Sequence, residues 1–372
     1  MRARERGMDL KILHYIPGFN TGGIEAVFLN WYKNLEGSGV TFELLVRSYD
    51  PNSPMLKEYL ALGGKLHNLD TPSLNPKTLA TFRKKVKTFF ASHKDYDFLH
   101  VHVADDPFVV SGARAVGVKQ IGIHAHTVGY NETYKSQGLK GMIRNYNIKH
   151  ASHYFACSNQ AARWMFKEQL AKVQIIHNGI DAHAYQFNVQ QRQVYRDKLG
   201  LADSLTLVHV GRFSEVKNHT FMLELAEKLV EQEPDFTLLL VGDGPLLEDI
   251  QAKNHLANVH FLGARLDIPA ILQAADLFLL PSKFEGLGMA AIESQAAGLP
   301  TLVSNRVPDE VNITDLVSFL PIENSQEEWL AKIKTIKGQA ERRNTYQEMV
   351  DAHYDIKQTT KDLLDYYKRV GK

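Results

Sequence analysis

The stretch that decides the fold runs from residue 275 to residue 300 and reads ADLFLLPSKFEGLGMAAIESQAAGLP. Its apolar run before Pro281 predicts a short buried strand that stops at the proline. Glu285 then falls on a strand-to-helix loop, and Glu293 lies about two turns, roughly 12 Å, along the helix that follows. The stretch therefore predicts a strand, a loop and a helix of an α/β protein, with one acid on the loop and one on the helix.

The start of this helix offers a place for an anion. The main-chain N–H groups of residues 286–289 have no partner within the helix, which favours a ligand such as a diphosphate. Gly286 and Gly288, on either side of Leu287, let that ligand approach the backbone closely. One acid can then accept sugar hydroxyls and the other ribose hydroxyls, so the segment predicts a site for a sugar nucleotide.

Apolar runs of strand length alternate with helical patterns along the whole chain. This alternation predicts parallel sheets in two Rossmann-like domains, with ligands at the carboxyl ends of the strands and the active site in the cleft between the domains. We expect strands at 10–15, 41–46, 98–103, 120–124, 154–156 and 173–176 in the first half, and at 205–210, 237–241, 259–262, 277–280 and 300–303 in the second.

Four motifs in the right order resemble those of the retaining glycosyltransferases of family 4. Residues 211–218 read GRFSEVKN, residues 241–245 read VGDGP, and the acid pair is separated by seven residues. Residues 177–181 read HNGID, with histidine where proline is commoner in the family. The resemblance covers nearly the whole chain and implies the GT-B architecture.

That architecture implies three segments. We expect a basic, acceptor-side Rossmann-like domain at 1–178 and a donor-side Rossmann-like domain at 179–356. The last helix, at 357–372, is expected to cross back and pack on the first domain.

The resemblance also assigns roles to individual residues. It implies that Arg212 and Lys217 hold the diphosphate, so that no metal or other cofactor is needed. It also implies that Glu285 orients the transferred sugar and that Glu293 orients the ribose. His126 is expected to touch the transferred sugar. The catalytic residues expected on this basis are His126, Arg212, Lys217 and Glu285. The donor-binding residues expected are Gly22, Gly23, Gly211, Gly242, Leu262, Arg265, Gly286, Leu287, Gly288 and Glu293.

Some polar residues have competing interpretations. The sequence Asp95-Tyr96-Asp97 looks like the acid-x-acid metal motif of the other glycosyltransferase fold, but its place just before a strand favours solvated turn residues. His100 and His102 have the same spacing as His124 and His126, and strand-end histidines are more often structural than ligands. No third zinc ligand stands at a recognised spacing. Glu25 falls in the first turn of a helix, where the dipole favours a negative charge.

Composition fits two soluble domains. The chain has 372 residues, which is more than a single hydrophobic core usually organises. Its composition, 44% hydrophobic and 23% charged, is ordinary for a soluble globular protein. The single cysteine, Cys157, excludes an intrachain disulfide and fits a reducing cytosol. The apolar runs are far shorter than the ~20 residues of a membrane span. The basic start at 1–7 has no apolar stretch behind it, which argues against a signal peptide.

Charge is distributed unevenly. Residues 1–178 carry 23 Lys and Arg against 14 Asp and Glu, a balance of +9, whereas residues 179–372 carry 20 against 28, a balance of −8. The basic half should therefore face something anionic. Its densest segment, 77–90, places Phe82, Val86, Phe89 and Phe90 at helical spacing. This pattern suits an interfacial contact with an anionic membrane, or equally a helix packed on a sheet with a solvated basic face.

The function expected from the resemblance is transfer of a hexose, with retention, from a UDP-sugar or another nucleotide sugar. The acceptor would be a glycan or a polyprenyl-diphosphate-linked sugar in capsule or exopolysaccharide synthesis, at the cytoplasmic face of the cell membrane. A sugar-nucleotide epimerase of the same architecture and a non-catalytic sugar-nucleotide-binding protein are the alternatives. Nucleic acid is not expected as a partner, because no stacking motif or recognition helix is found.

Overall fold

The structure is a computed structural model that describes residues 10–20, 22–126, 138–201, 203–323, 326–337 and 342–371. The basic start at 1–7 and Thr21 of the first glycine-rich turn lie outside these ranges. The chain divides into two compact units. The first unit comprises residues 1–179 and 356–372, and the second comprises residues 180–355.

The first unit contains a seven-stranded parallel sheet in the order β5-β3-β1-β6-β7-β8-β9. Its strands are β1 Leu10–Tyr15, β3 Val40–Val46, β5 Lys65–Asn68, β6 Phe98–Val101, β7 Gln120–Ala125, β8 His153–Ala156 and β9 Val173–Ile175, and the two-residue strands β2 Gly18–Phe19 and β4 Ser48–Tyr49 pair separately. Its helices in this part of the chain are α1 Gly23–Lys33, α2 Pro54–Ala61, α3 Leu79–Ser92, α4 Val109–Ala115, α5 Gly138–His150 and α6 Asn159–Met165.

Helix starts in this unit follow local chemistry. The Ser53 hydroxyl accepts from the backbone N–H of Leu56, and Pro54 occupies the first turn of α2, where a missing N–H costs nothing. Ser158 caps α6 in the same way through the N–H of Ala161. The central strand β6 is buried along its whole length, as expected of a parallel sheet covered by helices.

The second unit contains a six-stranded parallel sheet in the order β12-β11-β10-β13-β14-β15. Its strands are β10 Leu205–Val210, β11 Phe236–Val241, β12 Val259–Gly263, β13 Leu277–Leu280, β14 Thr301–Ser304 and β15 Val317–Leu320. Its helices are α7 Ala182–Tyr185, α8 Val189–Leu199, α9 His219–Val230, α10 Leu247–Lys253, α11 Ile268–Ala274, α12 Met289–Ala296, α13 Gln326–Lys337 and α14 Tyr346–Asp351. The strand order reverses between β10 and β13, which marks the carboxyl ends of these strands as the ligand position.

The last helix, α15 (Ile356–Val370), belongs to the first unit. Leu363 and Tyr367 are fully buried in the same apolar cluster as Phe28 and Trp31 of α1. The chain therefore leaves the first unit after residue 179 and returns to it at residue 356.

Two features differ from the sequence prediction. The edge strands β5 and β15 were not predicted. Strand β5 reads KLHN, which lacks an apolar run. In the basic segment, Phe82, Val86 and Phe90 of α3 are buried, with exposures of 0–1%. A side chain on Gly112 of α4 would lie 2.8 Å from Val86, so α3 packs closely on α4. The aromatic stripe is therefore core, and the membrane interpretation of that stripe is wrong.

Candidate functional site

Two glycine-containing loops meet backbone to backbone at the carboxyl ends of β10 and β11. The N–H of Gly211 donates to the carbonyl of Val241 at 2.9 Å. Gly242 has a φ of +143°, and a Cβ there would lie 2.0 Å from the Gly211 carbonyl oxygen. A Cβ on Gly244 would likewise lie 2.5 Å from the Phe213 oxygen. Only glycine fits at these positions, so the motifs at 211–218 and 241–245 form one surface at the strand-order reversal.

The predicted cation and acid of the second unit are paired. Lys217 Nζ lies 2.7 Å from Glu285 Oε1, and the Ser282 hydroxyl donates to the same oxygen at 2.6 Å. The N–H of Lys283 donates to the carbonyl of Val216, which ties the two loops together. The side chains of Lys217 and Glu285 retain only 18% and 10% of their exposure. The pair is thus pre-organised and still reachable by a ligand.

The two predicted arginines have different surroundings. Arg212 directly follows β10, is exposed, and forms no ion pair with any acid in the described ranges. Arg265 instead makes two hydrogen bonds to Asp267, at 2.8 and 2.6 Å, and Tyr195 donates to the same carboxylate. The charge of Arg265 is therefore already compensated by Asp267, whereas that of Arg212 is not compensated within the described ranges. Leu262, also predicted, packs half-buried against the core.

The loop before α12 contains Gly286, Leu287 and Gly288. Gly288 has a φ of +97°, and no side chain caps the helix that follows it. The N–H of Ala291 donates to the Gly288 carbonyl at 2.9 Å, and the N–H groups before it lack a side-chain cap. The Leu287 side chain is buried in the core with 5% exposure, so its predicted donor role is limited to its main chain. Gly286 is partly exposed on the same loop.

Glu293 differs electrostatically from Glu285. Desolvation raises the pKa of Glu293 to about 7, against the hydrogen bond from Tyr185 and the charge of Lys217. A larger share of Glu293 than of an ordinary glutamate is therefore protonated at neutral pH. Sequence reasoning found neither Tyr185 nor Ser282. Ser282 stands three residues before Glu285 and could have been found, whereas Tyr185 approaches Glu293 only through the packing of α7 on α12.

Two buried histidines lie behind the Lys217 loop and were not predicted. His209 Nδ1 donates to the carbonyl of Leu279 at 2.8 Å, and His219 stacks on Phe213 with ring centroids 4.0 Å apart. Burial lowers the pKa of both rings, to about 4 for His219, and the charge of Lys217 lowers them further. Both are neutral at pH 7, so they support the loop as packed rings and not as charges.

In the first unit, His126 ends a file of five histidines on one face of the sheet. His14 Nδ1 lies 2.9 Å from His102 Nε2, and His102 Nδ1 lies 2.7 Å from His126 Nε2. His100 Nε2 lies 3.0 Å from His124 Nδ1. Burial lowers the pKa of all five, to about 3 for His14 and about 4 for His126. His126 alone is half-buried, which leaves it the reachable end of the file.

The structure brings His100, His102 and His124 close together, a set of three possible zinc ligands that the sequence spacing did not reveal. Nitrogens of His100, His102 and His124 lie within 4.8 Å of one another, and imidazole suits zinc. The His100–His124 separation of 3.0 Å is shorter than the ~3.4 Å between ligands of a tetrahedral zinc at ~2.0–2.1 Å. The separation is that of a hydrogen bond, so the rings fit each other better than they fit a metal.

The other competing acids and glycines have structural partners. Asp95 accepts from Lys11 Nζ at 2.9 Å, and Asp97 accepts from the Lys11 backbone N–H at 2.8 Å. A Cβ on Gly22 would lie 2.5 Å from Glu25 Oε2. Glu25 also accepts from the N–H of Asn20 and so holds the turn before α1. A side chain at position 22 would therefore require the Glu25 carboxylate to shift, whereas a Cβ on Gly23 meets nothing within 4 Å.

Among the described helices, none combines the length and the apolar character needed to cross a bilayer.

The fold and the site define a glycosyltransferase with the GT-B architecture, as predicted. Residues 191–351 match the family model described as glycosyl transferases group 1, and residues 21–184 match glycosyltransferase family 4. EpsF of Bacillus subtilis (strain 168), which is named as a glycosyltransferase, is 31% identical over 373 residues, 96% of each chain. The chain belongs to glycosyltransferase family 4.

Two further similarities extend this result. The UDP-Gal:alpha-D-GlcNAc-diphosphoundecaprenol alpha-1,3-galactosyltransferase of Escherichia coli is 27% identical over 312 residues, 80% of this chain and 79% of that protein. A crystal structure of Anabaena HepE in complex with UDP has a TM-score of 0.76 at 17% identity, covering 97% of this chain and 100% of that one. At that identity the structural likeness shows the fold alone.

Proposed function

We propose that this glycosyltransferase transfers a sugar, with retention and without a metal ion, from a UDP-sugar to a lipid-linked acceptor in surface polysaccharide synthesis. The observation that carries the proposal is the Lys217–Glu285 pair at 2.7 Å, next to an uncapped helix start. The named activity of the E. coli relative and the UDP in the HepE structure support the choice of donor and acceptor class.

The leaving diphosphate needs positive charge, and the second unit supplies it from fixed groups. Arg212 is unpaired within the described ranges, Lys217 is held in place by Glu285, and α12 adds the positive end of its dipole. Charge that is pre-organised in a poorly solvated site stabilises the developing phosphate oxyanions without reorganisation. These groups can therefore do the work that a divalent metal does in other transferases.

The carboxylates have separate tasks in this proposal. Glu285 accepts hydroxyls of the transferred sugar, and Glu293 accepts ribose hydroxyls when it is ionised. In the first unit, His126 contacts the transferred sugar. The bond between the sugar and the diphosphate breaks, and the acceptor oxygen bonds to the sugar from the same face. The departing phosphate oxygen takes the proton of the acceptor hydroxyl, so no covalent glycosyl-enzyme on a carboxylate is needed.

The acceptor determines where the enzyme works. A polyprenyl-diphosphate-linked sugar is presented at the cytoplasmic face of a membrane, so we propose a cytoplasmic protein that binds that face. The +9 balance of residues 1–178 supports this placement, because anionic lipid and anionic acceptor are both attracted to it.

The test is turnover of radiolabelled UDP-sugars with and without a lipid-linked acceptor, in the presence of EDTA. We expect labelled product only with acceptor, at a rate that EDTA does not change. Conversion of the donor without acceptor would indicate an epimerase. Binding of UDP, measured as a raised melting temperature, without any turnover over a panel of acceptors would indicate a sensor. Loss of activity in EDTA that Mg²⁺ restores would refute metal independence.

A further inference from the structure

Helix α5 exposes an apolar face. Leu139 and Met142 are each 64% exposed, and Tyr146 is 46% exposed. Their spacing of three and four residues places them on one side of the helix. Ten large apolar side chains of the described ranges are exposed, and α5 is the helix that carries three of them on one face.

The position of α5 is fixed from its opposite side. Asn147 Nδ2 donates to the carbonyls of Ala104 and Asp106, at 2.7 and 2.9 Å. Arg114 of α4 donates to the carbonyl of His150 at the end of the helix. The helix is therefore anchored to the first unit by polar contacts, and its apolar face cannot rotate into the core.

Exposed basic side chains lie on α5 itself and on and just after α6. Lys140 and Lys149 of α5 are exposed, as are Arg163 of α6 and Lys167 just after it. None of the four forms an ion pair with an acid of the described ranges. A cavity of about 560 Å³ between α5 and α6 is lined by Lys149 and Lys167 together with Arg144, Asn145 and Gln169, and also by Glu168.

We propose that this α5 surface, formed by Leu139, Met142, Tyr146, Lys140, Lys149 and Lys167, binds an anionic lipid bilayer. The three apolar side chains enter the boundary between headgroups and acyl chains, where a tyrosine ring is favoured. The lysines reach phosphates on either side through their long stems. The inference deepens the proposed function and rests on it for its purpose, since it names the surface that brings the enzyme to a lipid-linked acceptor.

Charge favours a bilayer over a protein partner. An exposed apolar face on a helix that also carries the exposed Lys140 and Lys149 fits an anionic plane, whereas protein interfaces are normally depleted of lysine. Helix α3 is also basic, but its aromatic side chains are buried and it offers only charge. Among the described helices, α5 combines three exposed apolar side chains on one face with exposed lysines.

The test is sedimentation of the full chain with vesicles of phosphatidylcholine, with and without phosphatidylglycerol. We expect binding only to the anionic vesicles and release at high salt. Replacing Leu139, Met142 and Tyr146 by Ser should weaken binding about tenfold, and replacing the three lysines by Gln should abolish the preference for anionic lipid. The control Leu266→Ser, at an 88% exposed position of the second unit, should bind like the wild type.

The outcomes separate this inference from the proposed function. Wild-type binding by the triple Ser variant, or no binding by the wild type, would overturn the inference. A triple variant that changes the oligomeric state and not lipid binding would show that a second copy covers this face, which also overturns it. Stabilisation by UDP should be equal in all variants. Its absence in the wild type would count against the donor site and leave the lipid result standing.

Discussion

Removal of the cation from the Lys217–Glu285 pair tests the donor site directly. Lys217→Ala takes away a charge 2.7 Å from Glu285, while Ser282 still donates to the carboxylate. Breaking a fully buried pair costs about 3–5 kcal/mol, and an exposed pair is worth about 0–1 kcal/mol. Because these side chains retain 18% and 10% of their exposure, we expect an intermediate loss. A loss of about 2 kcal/mol corresponds to a melting temperature lower by roughly 4–8 °C.

Activity should fall by more than stability explains. Loss of one fixed donor to a developing oxyanion lowers kcat by about 100- to 1000-fold. The matched control is Lys283→Ala on the same loop, whose ion pair with Glu215 spans 3.6 Å between exposed side chains. That variant should keep both its melting temperature and its kcat, because an exposed pair contributes little.

A double variant separates the two effects. Lys217→Met with Glu285→Gln removes both charges, so no buried charge is left without a partner, and we expect much of the stability to return while turnover stays low. The measurements are calorimetric unfolding and initial rates at saturating donor. A kcat for Lys217→Ala equal to that of Lys283→Ala would refute the role of the pair in catalysis.

Three more predictions concern His14, Gly242 and Glu293. The pKa of buried His14 is about 3 in the folded protein, below its unfolded value of ~6.5. The free energy of unfolding should therefore fall as the pH drops from 6.5 towards 3. A urea midpoint that is equal at pH 7 and pH 4.5 would contradict this. Gly242→Ala should destabilise by about 2–4 kcal/mol because its Cβ meets the Gly211 oxygen, whereas Gly23→Ala should be neutral in thermal unfolding. UDP affinity should rise with pH through about 7 as Glu293 ionises, and calorimetric titration of Glu293→Gln should give a flat profile.

The sequence predicted the strands and loops that depend on a local pattern of apolar residues, prolines and glycines. The strands at 10–15, 205–210 and 277–280 have the predicted bounds, because each is an apolar run with a clear stop. The 275–300 stretch also placed Glu285 on a loop and Glu293 on a helix, since a strand, a proline and two glycines leave few alternatives.

What the sequence could not predict depends on contacts between distant segments. Tyr185 meets Glu293 across α7 and α12, and His14 joins the other histidines because β1 and β6 are neighbours in the sheet. The stripe on α3 could not be assigned from periodicity, which is the same for a core helix and a membrane-surface helix. The α5 face was missed because its apolar residues are few and lie among polar ones.

The second unit is one uninterrupted piece of chain whose two ends lie side by side. The N–H of Ile180 donates to the carbonyl of Tyr354 at 2.9 Å, and Ile180 forms a parallel bridge with Asp355. Residues 180–355 therefore form one continuous insertion in the sequence of the first unit, and the start and end of this insertion meet at a single junction. Recombination between relatives at this junction would exchange the whole second unit while leaving the β1, α1 and α15 core of its host uncut.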